Sequence, residues 1–361
     1  MNSILVVGAG SVGSLIGAAF VEAGYKVTFA GKPQSDRTEN LKEHGLRLSY
    51  PDREQLHIPS SSQVRFVDTS IDLNKKFDTI VVAVKSNNLI KVASYIEAHS
   101  TPDTVLIHAQ NGIPYWWFNN DSYLYSLNKS LIDKINRKRR LNAVDKGGVL
   151  QKSIGDRLIV GCVVKAPCHK TVDGHIIVKK PPKIFLGLTK NNDRYLEKKP
   201  SLQNLCYLLS QTGLTTVYTD EIRVAVCNKL AINLTTNVLS ALTGKVIADL
   251  TENCGTNSLI KTVIAETNYI FGFYGIKPED LPTEQAIYSY IKAPGSQTHL
   301  PSLAQDFSQR KPGETELITA PVEMAQIACL RVPTLYCLSE LLRLGQEHGT
   351  QITRESLVHV L

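Results

Sequence analysis

The sequence contains no apolar run of about 18 residues, the shortest that a membrane-spanning helix requires. We therefore expect no contact with a membrane. Cysteine occurs at seven positions, but no two form a C-x-x-C pair and the number is odd. This pattern argues against a metal site or a disulfide framework and favours a reducing compartment. The apolar start also lacks the basic flank and cleavage site of a signal peptide, so we expect a cytoplasmic protein.

The sequence also lacks a large excess of charge. The formal net charge is +7 over 361 residues, and 43% of the residues are hydrophobic, as in an ordinary globular protein. This charge suits an enzyme with an anionic cofactor and substrate, although surface variation explains it equally well. The basic run at residues 134–140 is local and carries no nucleic-acid-binding motif, so we expect no nucleic-acid partner.

A glycine-rich segment directly follows the first predicted strand. Residues 3–7 form a short apolar run, residues 8–13 have the sequence GAGSVG, and residues 14–23 are rich in apolar and small residues. A second predicted strand follows at residues 25–30. In this order of strand, turn, helix and strand, a G-x-G-x-x-G motif indicates dinucleotide binding.

Each glycine of the motif has a physical role in such a site. Gly8 permits the tight turn, Gly10 lets the backbone approach a pyrophosphate, and Gly13 lets the helix lie close to the strand. The helix N-terminus, at Ser11 and Val12, then offers free N–H groups to the phosphates.

The end of the second predicted strand lacks an acidic residue. An NAD site usually has Asp or Glu there, about 20 residues past the glycines. Here Gly31 and Lys32 follow the strand, and the first acid is Asp36. Lys32, with Arg37 as a second choice, would neutralise a 2′-phosphate, so the sequence favours NADP(H). The alternative for Lys32 is a solvated loop lysine.

Further strands at residues 63–68, 79–84 and 104–108 alternate with helical segments, which indicates a parallel sheet. Ligands of such sheets bind at the carboxyl ends of the strands. Lys85 and Asn111 follow two of these ends and are candidate binding residues.

Residues 114–156 are predicted to form an insert. It begins with four aromatic residues, 115–118, and contains the basic run. One interpretation is a surface excursion with a solvated charged helix; the other is a lid or subunit contact anchored by the aromatic residues. Four more strands are expected to extend the sheet in antiparallel fashion, at residues 157–165, 175–178, 183–188 and 214–218.

Helical periodicity dominates after residue 220. The predicted helices cover residues 221–244, 257–275, 283–291, 314–330 and 334–347. The predicted class is therefore α/β, with an N-terminal Rossmann-type doubly wound sheet over residues 1–219 and a mainly α-helical C-terminal domain over residues 220–361.

The first of these helices carries a polar stripe. Lys229, Asn233 and Asn237 are spaced four residues apart, so they share one face of a helix that is otherwise largely apolar and ends at Gly244. Buried polar groups need partners. Either they bind a ligand, or they form caps and hydrogen bonds between helices.

Two acids, Glu314 and Glu316, lie at the start of a later predicted helix. Taken alone, either one is explained as a complement to the helix dipole.

Taken together, these segments resemble the ketopantoate reductase (2-dehydropantoate 2-reductase) family. The matching pieces, in chain order, are GAGSVG at residues 8–13, Val84-Lys85, Gln110-Asn111-Gly112, residues 229–233, residues 302–306, Glu314 and Val332-Pro333-Thr334. They extend through nearly the whole chain.

The resemblance implies the catalytic residues. Lys229 matches the family's general acid. Counted from Ser302 and Asp306, the family's active-site acid falls at Glu314; Glu316 is the alternative if the local sequence is shifted by two residues.

The resemblance also implies binding residues. Asn233, Asn237 and Ser302 match residues that hold the substrate, Asn111 matches an amide near both nicotinamide and substrate, and Lys85 matches a lysine that contacts the cofactor.

The implied reaction is reduction of 2-dehydropantoate to pantoate by NADPH, a step in pantothenate and coenzyme A biosynthesis. The resemblance also implies that the protein is a homodimer. The sequence departs from the family in two places: the insert is longer than in compact members, and Gly31 stands where many members have arginine. The alternatives are reduction of a different 2-oxo acid on the same fold, and a non-catalytic NADP(H)-binding sensor.

Overall fold

The computed structural model describes residues 3–119, 133, 140–252 and 254–348. Most of the basic run and the adjoining part of the insert, residues 120–132 and 134–139, lie outside the described residues. The chain divides into two compact units. The first contains the described residues of Met1–Gln110, Tyr115–Ser122 and Gly147–Ile222, and the second those of Asn111–Pro114, Tyr123–Lys146 and Arg223–Leu361.

The first unit contains two sheets. Its strands are β1 Ser3–Val7, β2 Lys26–Gly31, β3 Leu46–Ser49, β4 Leu56–Ile58, β5 Val64–Asp68, β6 Thr79–Val82, β7 Val105–His108, β8 Leu158–Lys165, β9 Cys168–Lys170, β10 Ile176–Val178, β11 Lys183–Leu188 and β12 Thr215–Tyr218. Its helices are α1 Ser11–Glu22, α2 Asp36–His44, α3 Ser86–Ala98, α4 Val149–Ile154, α5 Asp193–Leu196 and α6 Lys199–Ser210.

The larger sheet has the order β12-β11-β8-β7-β6-β1-β2-β5. The chain passes from β1 to β2 and β5 on one side and then returns to β6, β7 and β8 on the other. The direction of winding therefore reverses between β1 and β6, which is where doubly wound sheets bind ligands. The predicted fold class is confirmed.

The antiparallel extension of this sheet differs from the prediction in two respects. Strand β8 pairs in parallel with β7, and only β11 and β12 run against the others. Strand β10 instead joins a second sheet of order β4-β3-β10-β9, where Ile176 pairs in parallel with Leu48.

The aromatic residues at the start of the insert belong to the core of the first unit. Trp116, Trp117 and Phe118 are at most 2% exposed. Gly161 of β8 lies against Trp116, since a Cβ on Gly161 would come within 2.8 Å of the Trp116 ring. These buried side chains are therefore not available for a subunit contact, and the lid interpretation falls on residues of the insert outside the described part of the chain.

The second unit is helical among the described residues, as predicted. Its helices are α7 Ile222–Thr243, whose first residue lies in the first unit, and α8 Cys254–Phe273, α9 Glu284–Ile291, α10 Ser302–Ser308, α11 Glu316–Ala328 and α12 Pro333–His348. Helix α7 ends at Gly244, which has a φ of 70° and donates its N–H to the Ser240 carbonyl. None of the described helices is long and apolar enough to span a membrane.

Two carboxylates hold backbone N–H groups in this unit. Glu323 of α11 accepts hydrogen bonds from the N–H groups of Asn142 and Ala143, at 2.9 and 2.8 Å. Glu266 of α8 accepts from those of Thr334 and Leu335, at 3.0 and 2.8 Å. Because the first N–H groups of a helix have no partner within it, Glu266 acts as the N-terminal cap of α12 from a neighbouring helix.

We predict that Glu266→Ala lowers the free energy of unfolding by about 1–3 kcal/mol, because it leaves two partly buried N–H groups without an acceptor. Urea unfolding followed by circular dichroism measures the loss. The matched control is Glu279→Ala, which removes a carboxylate at an exposed position. Equal stability of the two variants would show that the cap contributes nothing.

Candidate active site

The glycine-rich turn after β1 is shaped by contacts that leave no room for side chains. Gly8 has a φ of 101°, and a Cβ there would lie 2.7 Å from the backbone nitrogen of Val84. A Cβ on Gly13 would lie 2.0 Å from the Gly8 carbonyl oxygen. A Cβ on Gly10, in contrast, would meet nothing within 4 Å. The turn is therefore packed against the backbone that follows β6 on one side and is open at Gly10.

Helix α1 begins at Ser11 with its N-terminus available to an anion. Its N-cap residue, Gly10, makes no side-chain cap hydrogen bond, and the first turn carries no acidic residue. The first N–H groups and the positive end of the helix dipole favour a phosphate at this position. This arrangement fits the pyrophosphate of a dinucleotide.

The carboxyl end of β2 has no room for a side chain at Gly31, because a Cβ would lie 2.2 Å from Thr38 Oγ1. The following residue, Lys32, is exposed, and its carbonyl accepts hydrogen bonds from Ser35 Oγ and Thr38 Oγ1 at 3.0 and 2.8 Å. Lys32 thus provides a cation at the end of β2. Arg37 does not point to solvent but contacts the glycine-rich turn.

An acid that the sequence did not single out lies on the adjacent strand. Asp68 ends β5 and pairs with Gly31 in the sheet register. Hydrogen bonds from Ser70 and Lys42 hold the pKa of its carboxyl below the usual range. Asp68 is therefore an ionised group that already has a cationic partner, Lys42, at 3.0 Å.

The carboxyl end of β7 contains a buried histidine that sequence analysis also missed. His108 is 2% exposed, packs edge-on against the Tyr115 ring and donates Nδ1–H to Gln110 Oε1 at 3.2 Å. Burial lowers the pKa of His108 from 6.5 to about 4. The ring is therefore neutral near pH 7, immediately before the Gln110-Asn111-Gly112 segment.

The predicted polar stripe of α7 meets that segment. Lys229 Nζ donates a hydrogen bond to Asn111 Oδ1 at 2.5 Å. Asn233, one turn later, is 8% exposed, and Asn237 is half-buried and accepts from Thr236 Oγ1 at 3.1 Å. An ammonium group and two amides therefore share one face of α7.

The start of α11 lies beside the same segment. A Cβ on Gly112 would be 3.4 Å from Leu317 Cδ2, so Gly112 lies against the first turn of that helix. Glu314, just before α11, is 7% exposed, and Glu316, its first residue, is half-buried. The burial of Glu314 favours it over Glu316 as a group with a specific role.

Two other predicted site residues are exposed to solvent. Ser302 is the first residue of α10 and is exposed, and no contact of its side chain with Lys229 or Asn111 is seen in the described part of the chain. Lys85 is exposed at the position before α3, past the end of β6. Among the described residues, no group of three or more His, Cys, Asp or Glu side chains is arranged to hold a metal.

This arrangement can stabilise negative charge on an oxygen atom. A lysine ammonium fixed by an amide acceptor can both donate hydrogen bonds to a developing oxyanion and transfer a proton to it. Uncharged amides on the same helix face can hold a substrate in place without competing for that proton.

Two family models match the chain. The model for ketopantoate reductase PanE/ApbA matches residues 4–114, and the model for the C-terminal part of the same enzyme matches residues 221–347. The chain is 27% identical to a 2-dehydropantoate 2-reductase of Mesorhizobium japonicum over 349 residues, covering 96% of this chain and 98% of the relative.

Solved structures share the fold over nearly the full length. A protein of Ralstonia solanacearum MolK2 assigned as a ketopantoate reductase has a TM-score of 0.79 and 26% identity, covering 97% of this chain and 99% of its own. D-mandelate dehydrogenase in a ternary complex with NADH and anilino(oxo)acetate has a TM-score of 0.73 and 18% identity, with coverage of 96% and 99%.

We predict that acidification destabilises the protein through His108. Its folded pKa of about 4 lies below the ordinary 6.5, so the unfolded chain binds more protons between these values. The stabilisation is complete above pH 6.5 and is lost as the pH falls to about 4, by on the order of 3 kcal/mol.

Urea unfolding at several pH values from 7 to 4 tests this prediction. His108→Gln should show a weaker decline in stability with acid than the wild type, whereas the control His57→Gln, at an exposed position, should keep the wild-type decline. If the stability of His108→Gln declined with acid as steeply as that of the wild type, His108 would not be the source of the acid sensitivity.

Proposed function

Because the chain belongs to the ketopantoate reductase family, we propose that it reduces 2-dehydropantoate to pantoate with NADPH, in pantothenate and coenzyme A biosynthesis. The observation that carries this proposal is the hydrogen bond between Lys229 and Asn111 on the amide-bearing face of α7. A protein that only sensed NADP(H) would have no need of a fixed ammonium group beside amides.

We propose a division of roles along the chain. Residues 1–219 bind the cofactor, and residues 220–361 supply the groups that hold and protonate the substrate. The glycine-rich turn and the uncapped start of α1 fit a nicotinamide dinucleotide. When bound in its reduced form, that cofactor supplies the hydride for the carbonyl carbon of the 2-oxo acid.

The proposed cofactor contacts come from the ends of several strands. The pyrophosphate is bound at the turn and helix start, the 2′-phosphate by Lys32, and the nicotinamide half by residues past β6 and β7. These residues are Gly8, Gly10, Ser11, Val12, Gly13, Lys32, Lys85 and Asn111.

Lys229 acts as the general acid in this proposal. Its ammonium stabilises the negative charge that develops on the carbonyl oxygen and then donates the proton. Asn111 accepts a hydrogen bond from Nζ and so fixes the position of the ammonium group. The chain itself therefore lowers the activation barrier by placing an oriented charge and a transferable proton at one atom, Lys229 Nζ.

The remaining polar residues bind and orient the substrate. Asn233 and Asn237 donate and accept hydrogen bonds along the α7 face, and Ser302 binds the substrate carboxylate. Glu314 accepts a hydrogen bond from a substrate hydroxyl or pairs with Lys229. The homodimer that the family resemblance implies stays a prediction, which light scattering on the purified protein tests.

We predict that Lys229→Ala lowers kcat/KM for 2-dehydropantoate by at least about 100-fold, the range expected when a general acid is lost. NADPH oxidation at 340 nm measures the rate, and fluorescence titration should show unchanged NADPH binding. The matched control is Lys245→Ala, which removes an exposed lysine just beyond the same helix.

Three other outcomes would each change the proposal. Turnover in Lys229→Ala close to the wild-type rate would remove the general-acid role. Wild-type turnover on a different 2-oxo acid but not on 2-dehydropantoate would keep the reaction and replace the substrate. Tight NADPH binding with no turnover on any 2-oxo acid would favour the sensor.

We predict that Lys32→Gln weakens NADPH binding by about tenfold or more, since it removes a charge-assisted contact with the 2′-phosphate. NADH binding should be unaffected because NADH has no 2′-phosphate. Lys26→Gln, at the opposite end of β2, is the control. Equal losses of affinity for NADPH and NADH would show that Lys32 does not recognise the 2′-phosphate.

A further inference from the structure

Arg37 connects three separate segments of the first unit. It is the second residue of α2, and its side chain reaches back to the glycine-rich turn. Nε–H donates to the Ala9 carbonyl at 3.1 Å, Nη2–H donates to Ser14 Oγ at 3.0 Å, and Nη1–H donates to the Gly174 carbonyl. A planar guanidinium with these three contacts has one fixed orientation.

Two hydrogen bonds to the Ala9 carbonyl orient the turn. The Ala9 carbonyl accepts hydrogen bonds from Arg37 and from Ser14 Oγ, the latter at 3.3 Å. In a trans peptide the carbonyl and the next N–H point in opposite directions. With the Ala9 carbonyl held toward Arg37, the Gly10 N–H faces away from it. Gly10 is exposed and has open space beside it.

The third contact brings in the second sheet. Gly174 lies in the turn between β9 and β10 with a φ of 82°, and a Cβ there would lie 2.7 Å from Asn40 Oδ1 and 2.9 Å from Arg37 Nη1. Arg47 of β3 holds the same turn through Asp173, at 3.0 Å. The turn therefore packs on α2 and on the guanidinium without space for a side chain.

No carboxylate in the described part of the chain pairs with the charge of Arg37. Its three acceptors are two carbonyls and a hydroxyl, and no ion pair to Arg37 is seen among residues 3–119, 140–252 and 254–348. Burial, with a contribution from the charge of Arg47, lowers the pKa of Arg37 to about 10. Partial burial of an unpaired cation is costly, so the turn favours an anionic ligand.

We infer that Arg37 is a positioning residue for the pyrophosphate of the bound dinucleotide, and that the second sheet, through Gly174, holds Arg37 in place. This inference rests on the proposed cofactor site. It gives Arg37 a role different from that of Lys32. Every nicotinamide dinucleotide contains the pyrophosphate, so Arg37 serves NADPH and NADH alike.

The test is the dissociation constant of each cofactor for Arg37→Met, measured by isothermal titration calorimetry. We expect binding of NADPH and NADH to weaken by a similar factor, about tenfold or more, because a hydrogen-bonded charge is lost. At saturating NADPH, kcat should stay within about threefold of the wild type, as expected when only binding is affected. Arg37→Lys should recover part of the lost affinity, and Gly174→Ala should weaken the binding of both cofactors.

The matched control is Arg53→Met. Arg53 is a half-buried arginine of the same unit that pairs with Glu22 at 2.9 Å and stacks on Tyr50. Its loss should lower the thermal midpoint without changing either dissociation constant. This separates a specific effect on the turn from general destabilisation.

Four results would overturn the inference. Loss of NADPH binding with intact NADH binding in Arg37→Met would assign Arg37 to the 2′-phosphate. Unchanged binding of both, or equal losses in Arg37→Met and Arg53→Met, would leave Arg37 a purely structural residue. Wild-type protein that bound neither cofactor would overturn the proposed function as well, and this outcome is distinct because it appears before any substitution.

Discussion

The chemistry proposed for this protein depends on one contact, the hydrogen bond from the Lys229 ammonium to the Asn111 amide oxygen. It joins a long buried helix to a short segment that follows β7 in the chain. Since Gly112 of that segment also lies against the first turn of α11, three stretches far apart in sequence meet at Asn111 and Gly112. A substrate oxygen bound there would encounter a fixed positive charge and a proton donor, which is the requirement for reducing a carbonyl group.

The first unit meets a different constraint, which is close approach of backbone to backbone. Gly13 lies so near the Gly8 carbonyl, and Gly8 so near Val84, that neither position has room for a side chain. Polar contacts then orient the same turn, since Arg37 and Ser14 both hold the Ala9 carbonyl. Steric fit brings α1 close to the sheet. The hydrogen bonds then orient the peptide groups of the glycine-rich turn.

Local sequence patterns predicted most of the architecture but not its long-range pairings. The glycine spacing, the stripe of three polar residues on α7 and the end of that helix at Gly244 are each visible within one short segment of sequence. The parallel pairing of Ile176 with Leu48 joins residues distant in sequence, so no local pattern predicts the second sheet. His108 and the contacts of Arg37 were missed for the same reason: a lone histidine in an apolar run, or an arginine in a polar helix, shows its partners only after folding. The aromatic residues 115–118 gave no sign of which face they would bury.

Direct hydride transfer is the central claim, and isotope labelling tests it most directly. The protein is incubated with 2-dehydropantoate and NADPH carrying deuterium at C4 of the nicotinamide, in separate reactions for the two C4 positions. Mass spectrometry then locates the label in the product. The account predicts pantoate with one deuterium at C2 from one of the two labelled cofactors and none from the other. Pantoate without deuterium in both reactions, or no pantoate at all, would contradict it.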